Sequence, residues 1–134
     1  MPAPEPTDHQ IATWFRPTLT PAERGVQRAL VGRVDTALRG LGLDYVAYGG
    51  ALLGVCAYRD LLPWDDDADL LVLTPVHPAA LLDGLSGALP DLRVVPHGLM
   101  VKVSHSAPGR PWGFPFVDVG LLYQRRGVWC HDSM

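Results

Sequence analysis

One acidic run constrains this chain more than any other feature: Asp65-Asp66-Asp67-Ala68-Asp69 is followed at once by the apolar segment 70–73. Four carboxylates in five positions repel one another, and folding them beside an apolar strand is costly unless a cation or hydrogen-bond donors compensate their charge. Side chains alternate along a strand, so Asp67 and Asp69 are expected on one face, with Cα atoms roughly 6.5–7 Å apart. Oxygen-only ligands suit Mg²⁺ or Mn²⁺ rather than zinc. A solvated acidic turn is the alternative interpretation, and the direct entry into an apolar strand favours a metal site.

Two further segments add to this pattern. Tyr48-Gly49-Gly50 is read as a strand that turns into a helix, whose first amides could bind phosphate oxygens at close range. Asp118 lies inside the apolar segment 116–120, where a lone ionised carboxylate needs a metal, a cation or strong donors. Each has a plainer interpretation, an ordinary turn for the glycines and a water-facing edge position for Asp118.

Hydrophobic periodicity predicts the element order α-β-α-β-α-β-β-β-β. Thr20 and Glu23 form a capping-box pattern, and Val26, Leu30, Val34 and Leu38 are expected to line the buried face of the helix that follows. We expect helices at about 20–40, 51–59 and 78–89, and strands at about 44–48, 67–73, 92–95, 99–104, 116–123 and 128–130. A mixed β-sheet with helices packed on it follows, an α+β fold.

Composition limits the class of protein. With 134 residues, 48% of them hydrophobic, the chain is expected to hold one domain, residues 20–134, preceded by a proline-rich arm, residues 1–19, that Trp14 and Phe15 attach to the body. No apolar run approaches the roughly 20 residues that a membrane span needs. A net charge of −3 argues against nucleic-acid binding. The start of the chain does not resemble a secretory signal, so we expect a cytoplasmic protein whose two cysteines are free, with Cys56 in the core.

The motifs together resemble those of a known family. Gly49-Gly50-Ala51-Leu52-Leu53-Gly54, the block Leu62-Pro63-Trp64-Asp65-Asp66-Asp67-Ala68-Asp69, and Phe116-Val117-Asp118-Val119 resemble the LicD family, which includes the fukutin-like proteins, within the nucleotidyltransferase-fold superfamily. The resemblance covers about residues 46 to 123. It implies a nucleotidyltransferase fold and a metal-dependent enzyme that transfers a phospho-substituent, such as phosphocholine, from a CDP-linked donor to a glycan or another hydroxyl acceptor.

Carried onto this chain, the resemblance assigns roles to individual residues. It implies Mg²⁺ or Mn²⁺ ligands at Asp67, Asp69 and Asp118, with Asp65 as a further ligand and Asp66 shaping the loop. Asp118 is also a candidate to accept the acceptor's proton. The donor phosphates would be bound by Gly49 and Gly50, with Lys102 and Arg59 as additional candidates. Lys102 has two other interpretations, pairing with the acidic cluster or an ordinary surface position, and Arg125 and Arg126 are interpreted as surface or acceptor-contacting residues.

Two departures from the family pattern keep other functions open. Ala51 stands where the family commonly has Thr or Ser, and Ala57 where it commonly has Arg. The chain is also short for the family, so four interpretations stay open: a minimal enzyme, a fragment, a subunit that needs a partner protein or an oligomer, and a degenerate relative. The alternatives are a nucleotidyltransferase that uses ATP to modify a small molecule or a protein, and a catalytically degenerate nucleotide-binding or regulatory domain. His77 and His97 are interpreted as turn residues beside prolines, and no zinc site is expected because no two histidines have the spacing of metal ligands.

Overall fold

A computed structural model describes residues 4–10, 19–106 and 115–131. Residues 8–10, within the proline-rich arm, are helical, which the predicted order did not include; from residue 19 onward the elements follow that order. The helices are α1 (Pro21–Gly40), α2 (Gly49–Tyr58) and α3 (Pro78–Ala88), and the strands are β1 (Tyr45–Tyr48), β2 (Asp67–Val72), β3 (Arg93–His97), β4 (Met100–Ser104), β5 (Phe116–Arg125) and β6 (Val128–His131). The expectation that Trp14 and Phe15 attach the arm falls on residues outside the described ranges. None of the helices in these ranges has the length and apolarity to cross a bilayer.

Helix α1 begins at the predicted capping box. The Thr20 hydroxyl accepts a hydrogen bond from the Glu23 amide at 3.2 Å, and the Glu23 carboxylate accepts one from the Thr20 amide at 2.7 Å. The predicted burial of Val26 is wrong, because Val26 is 41% exposed and Gln27 is fully buried in its place. Successive i+4 steps drift by about 40° around a helix, so a stripe that holds Leu30 and Leu38 includes position 27 rather than 26.

The strands form one mixed sheet in the order β1-β2-β5-β4-β3, with β6 pairing beyond this path on β5. Strands β2 and β5 run parallel, and the other neighbouring pairs run antiparallel. Parallel pairing requires a crossover connection, and the chain between β2 and β5 supplies it with α3, β3 and β4. The α+β architecture expected from the sequence is therefore confirmed.

The apolar core lies on one face of this sheet. Alternate residues of the central strands are buried there against α1 and α3; they are Ala68, Leu70, Val72, Val101, Val103, Val117 and Val119. Because side chains alternate along a strand, the residues between them face the other side. The acidic residues of β2 and β5 therefore lie opposite the core.

Helix α2 buries only Ala51 and Gly54, although it is apolar almost throughout. The prediction that Cys56 is a core residue is wrong, because its side chain is exposed. Periodicity could not orient α2, since an apolar residue occupies nearly every position around its axis.

The hairpin β5–β6 turns at Arg126 and Gly127, whose φ angles are 51° and 77°. Two consecutive positive φ angles are typical of tight hairpin turns that match the twist of the strands. This turn joins the two strands that the sequence predicts at about 116–123 and 128–130.

Candidate functional site

A row of polar residues crosses the face of the sheet opposite the core. The register pairs Tyr48 of β1 with Asp69 of β2, Asp69 with Asp118 of β5, and Asp118 with Lys102 of β4. Residues directly opposite each other on neighbouring strands point to the same face. The parallel pairing of β2 with β5 therefore brings together two aspartates that are far apart in the sequence.

The three aspartates predicted as metal ligands are close together. Asp67, Asp69 and Asp118 each offer a carboxylate oxygen within 4.8 Å of the others, and Asp65, Asp66 and Asp67 form a second such group. Burial, followed by the charge of Asp69 and the contacts of Asp65, raises the pKa of Asp67 to about 7. Burial and the neighbouring charge of Asp118 also raise the pKa of Asp69. These carboxylates carry more negative charge than their surroundings compensate.

This donor set fits a hard divalent cation. It consists of carboxylate oxygens, the ligand type that Mg²⁺ and Mn²⁺ prefer. Asp118 Oδ1 is buried without a well-aligned hydrogen bond from the part of the chain that the structure describes, and the Lys102 ammonium lies 2.8 Å from it. A divalent cation in the cluster would offset the remaining crowded charge of Asp67 and Asp69.

Gly49 and Gly50 place the N-terminus of α2 against these carboxylates. Gly49 has a φ of +54°, and a Cβ there would lie 3.2 Å from Asp69 Oδ2; a Cβ at Gly50 would overlap with Asp65 Oδ2. The glycines thus allow both carboxylates to approach the positive end of the helix dipole. Two of the chain's own aspartates lie close to these glycines, and the binding of donor phosphates by Gly49 and Gly50 stays a prediction.

Gly54 allows the chain to return closely along α2 after the helix ends. A Cβ at Gly54 would lie 2.5 Å from the Asp60 carbonyl oxygen and 2.9 Å from the Leu62 amide nitrogen. The chain therefore folds back against α2 at this glycine, and Leu62 is buried there. This return brings Asp65 back to the start of the helix.

Gln27 holds the backbone of Asp67 by a hydrogen bond, a role that the sequence did not reveal. Its side-chain amide donates a hydrogen bond to the Asp67 carbonyl oxygen at 3.2 Å, and its own carbonyl accepts one from Arg24 at 2.7 Å. A buried glutamine on an otherwise apolar helix face is the sequence signal for such a contact, but it becomes visible only once the phase of the helix is known.

Lys102 pairs with the acidic cluster, the second of the three interpretations considered above. Its ammonium lies 2.8 Å from Asp118 Oδ1 and 3.1 Å from Asp118 Oδ2, and both residues are more than 90% buried. It also lies 3.4 Å from the centroid of the Phe116 ring. A surface position for Lys102 is excluded.

The carboxylates face a groove of about 280 Å³, which is also lined by Tyr48, His97, Met100 and His131. His97 therefore faces the groove as well as flanking a turn. The Tyr48 hydroxyl and His131 Nε2 are 2.8 Å apart, and their rings pack edge to face. Sequence reasoning missed His131, because only the curvature of the β5–β6 hairpin brings it over the cluster.

The remaining predicted residues lie elsewhere. Arg59 follows the last residue of α2, about 15 Å along the helix from Gly49. It is exposed and is not among the groove-lining residues that the structure describes. Arg125 and Arg126 are exposed at the tip of the hairpin. The structure does not bring these arginines to the carboxylates.

Comparison with solved structures finds the same fold elsewhere. An antigenic nucleotidyltransferase-like protein from Paracoccidioides brasiliensis superposes with a TM-score of 0.51 at 19% identity, over 77% of this chain and 47% of that protein. The mixed sheet and its helices are therefore those of a nucleotidyltransferase-like fold.

Sequence comparisons add the family. The ribitol 5-phosphate transferases FKRP of Homo sapiens and Mus musculus are each 31% identical over 127 residues, which is 90% of this chain. The chain spans only 24% of the length of these relatives. A family model described as LicD/FKTN/FKRP, nucleotidyltransferase domain, matches residues 42–133, which include all three clustered aspartates. The chain therefore belongs to the LicD/FKTN/FKRP nucleotidyltransferase-domain family.

Proposed function

We propose that this chain is a divalent-metal-dependent transferase domain that moves a phosphorus-containing group from a CDP-linked donor to a hydroxyl group of a glycan or another acceptor. The observation that carries the proposal is the convergence of Asp67, Asp69 and Asp118 within 4.8 Å on two parallel strands. The family membership and the relatives' name, ribitol 5-phosphate transferase, support a sugar-alcohol phosphate as the transferred group.

Asp67, Asp69 and Asp118 would hold Mg²⁺ or Mn²⁺, with Asp65 as a further ligand. When bound, the metal would offset the negative charge of the donor diphosphate and of the leaving nucleotide. The cluster supplies the negative charge that retains the ion. The Gln27 contact with the Asp67 backbone and the close packing of Asp65 and Asp69 on α2 hold the carboxylates in place.

The groove gives the donor and the acceptor a place beside the carboxylates. Gly49 and Gly50 at the N-terminus of α2 lie beside Asp69 and Asp65, where their backbone amides would bind a phosphate oxygen next to the ion. His131 also lines the groove, and with its Nε2–H donated to the Tyr48 hydroxyl its Nδ1 would accept a hydrogen bond from an acceptor hydroxyl and orient it. Asp118 is less suited to taking a proton, because Lys102 already pairs with its carboxylate.

The test is CMP release from CDP-ribitol, CDP-glycerol and CDP-choline, each with Mg²⁺, Mn²⁺ or EDTA, in the presence of a glycan acceptor. We expect release with at least one of these donors and only with a metal. The Asp67→Asn/Asp69→Asn variant should lose at least about 100-fold in rate. Asp83→Asn, an exposed aspartate of α3, is the matched control and should leave the rate unchanged.

Other outcomes would contradict the proposal in different ways. Turnover of ATP in place of the CDP compounds would indicate nucleotidyl transfer to a small molecule or a protein. A metal-dependent rise in melting temperature with a nucleotide but no turnover would indicate a binding domain, because a ligand that binds only the folded state stabilises it. The absence of both nucleotide binding and turnover would overturn the proposal for this chain on its own.

A further inference from the structure

Lys102 is the only lysine in the sequence, where the other ten cationic side chains are arginines. It is 4% exposed and lies inside the site, within 3.1 Å of both oxygens of Asp118 and against the face of Phe116. A lysine ammonium is a compact point charge, whereas a guanidinium is a wide planar fork. The only lysine of the sequence thus occupies a buried position beside Asp118, where a compact cation fits.

The charges around Lys102 indicate what this cation does. The two oxygens of Asp118 that a metal could use face a positive charge that is already in place. Asp118 is also the most buried of the three clustered aspartates, and an ionised carboxylate so buried is costly without a partner. Lys102 thus compensates Asp118 when no metal is present, and it repels a divalent ion that approaches the same oxygens.

We propose that Lys102 is a built-in counter-ion that competes with the divalent metal for Asp118, so that it stabilises the metal-free fold and weakens metal binding. The inference rests on the proposed function in one respect, that the cluster takes a divalent cation. It makes Lys102 a positioning residue, which acts through Asp118. It predicts effects of opposite sign on folding and on metal affinity.

The first experiment measures Mn²⁺ affinity by calorimetry and metal-free melting temperature for the wild type and three variants. Lys102→Met and Lys102→Gln remove the charge, and Lys102→Arg keeps it. We expect both neutral variants to bind Mn²⁺ at least about tenfold more tightly than the wild type and to melt at a lower temperature without metal. Lys102→Arg, a wider side chain that keeps the positive charge, should bind Mn²⁺ no more tightly than the wild type.

A purely structural role for Lys102 would give a different result, because loosening the site would weaken Mn²⁺ binding together with stability. Neutral variants that bind Mn²⁺ no more tightly than the wild type would therefore overturn the proposal. If a neutral variant folds only when Mn²⁺ is present, the metal has replaced the ammonium, and the proposal is supported. The neutral Lys102→Gln side chain can still donate a hydrogen bond to Asp118, so it separates the loss of charge from the loss of contact.

The second experiment uses the single lysine as its own reporter. Wild-type protein labelled with ¹⁵N only at the lysine Nζ should give one side-chain signal in a ¹H–¹⁵N spectrum. We expect Mg²⁺ to shift this signal with the same dissociation constant that calorimetry gives. Binding of Mg²⁺ that leaves the signal in place would overturn competition at Asp118 but would leave the proposed function intact.

The two proposals fail in distinguishable ways. Metal binding by the neutral variants but not by the wild type would support the role of Lys102 and overturn metal dependence of the natural chain. Equal binding by all four proteins would overturn the role of Lys102 alone. If none of them binds a metal, both proposals are wrong.

Discussion

The carboxyl group of Asp67 lies where burial and neighbouring charge act together on its ionisation. Asp65, Asp66 and Asp69 surround it, and its pKa is raised to about 7. The backbone at this position is held by Gln27 and by the pairing of β2 with β5. The Asp67 carboxylate therefore cannot move away from the neighbouring aspartates without disturbing the start of β2.

The raised pKa of Asp67 makes the stability of the metal-free protein fall as the pH rises. Below pH 4 the carboxyl group is protonated in both the folded and the unfolded chain, and its effect on folding vanishes. Between about pH 4 and about pH 7 the folded state binds more protons than the unfolded state, so the free energy of unfolding decreases with pH. Asp67→Asn should weaken this dependence, leaving the part that the raised pKa of Asp69 contributes, and should raise the metal-free melting temperature at pH 7 by a few degrees, about what 1 kcal/mol produces in a domain of this size.

Thermal melts in EDTA from pH 4 to pH 8 measure this effect. Saturating Mg²⁺ should reverse the wild-type trend over the same range, because the metal binds the ionised carboxylate. Asp83→Asn serves as the control and should keep the wild-type dependence. A wild-type melting temperature that rises from pH 4 to pH 7 in EDTA would contradict the prediction.

At the scale of elements, α2 and the segment after it act as one unit. Gly54 lets residues 60–62 pack directly on the helix, and an ion pair between Arg28 and Asp60 fixes the same segment to α1. That ion pair is exposed, so the contact at Gly54 is expected to contribute more to stability. The position of Asp65 at the helix N-terminus depends on this return.

Substituting alanine at two helical glycines should therefore have opposite effects. Gly54→Ala places a methyl group against backbone atoms that cannot move independently, and we expect it to destabilise the fold by about 1–3 kcal/mol. Gly32→Ala, on α1 where no atom lies within 4 Å of the new Cβ, should stabilise the fold by about 0.4–1 kcal/mol. Chemical denaturation of both variants checks the pair, and equal effects would show that the contact at Gly54 is not tight.

At the scale of the whole molecule, the β5–β6 hairpin bends over the open face of the sheet. Strands β1 and β6 are separated by β2 and β5, which in a flat sheet would hold them about 14 Å apart. The contact between Tyr48 and His131 nevertheless measures 2.8 Å. Strand β6 therefore remains paired with β5, and its His131 end forms part of one wall of the groove.

Removing the Tyr48 hydroxyl should loosen this wall. We expect Tyr48→Phe to cost about 0.5–1.5 kcal/mol and to speed amide hydrogen exchange in β6. Tyr45→Phe removes a hydroxyl that bonds to Asp35 instead, so it should leave exchange in β6 unchanged. Hydrogen exchange followed by mass spectrometry compares the two, and similar β6 exchange rates in both variants would mean that the Tyr48 contact does not hold the hairpin.

Local patterns predicted the elements of this molecule better than its tertiary contacts. Caps, turns and alternation predicted the order of helices and strands, and the family motif predicted which aspartates would meet. The buried side of α2 and the phase of α1 were not predictable, because apolar residues surround one helix and a glutamine interrupts the stripe of the other. The Lys102 pair was left among three interpretations, and His131 was missed, because both contacts depend on strand register and curvature that no local pattern encodes.

The parallel pairing of β2 with β5 also determines when the site can exist during folding. A helix and two strands separate Asp69 from Asp118 in the sequence, so pairing β2 with β5 closes a long loop. The entropy of closing this loop is lost before the contacts between the two strands stabilise the chain. In an unfolded or partly folded chain, Asp67 and Asp69 are therefore close to each other while Asp118, the third carboxylate of the cluster, is not yet beside them. We expect a chain emerging from the ribosome to acquire the complete cluster only once β5 has been synthesised and has docked, so mutual repulsion of the three carboxylates arises at the end of folding rather than at its start.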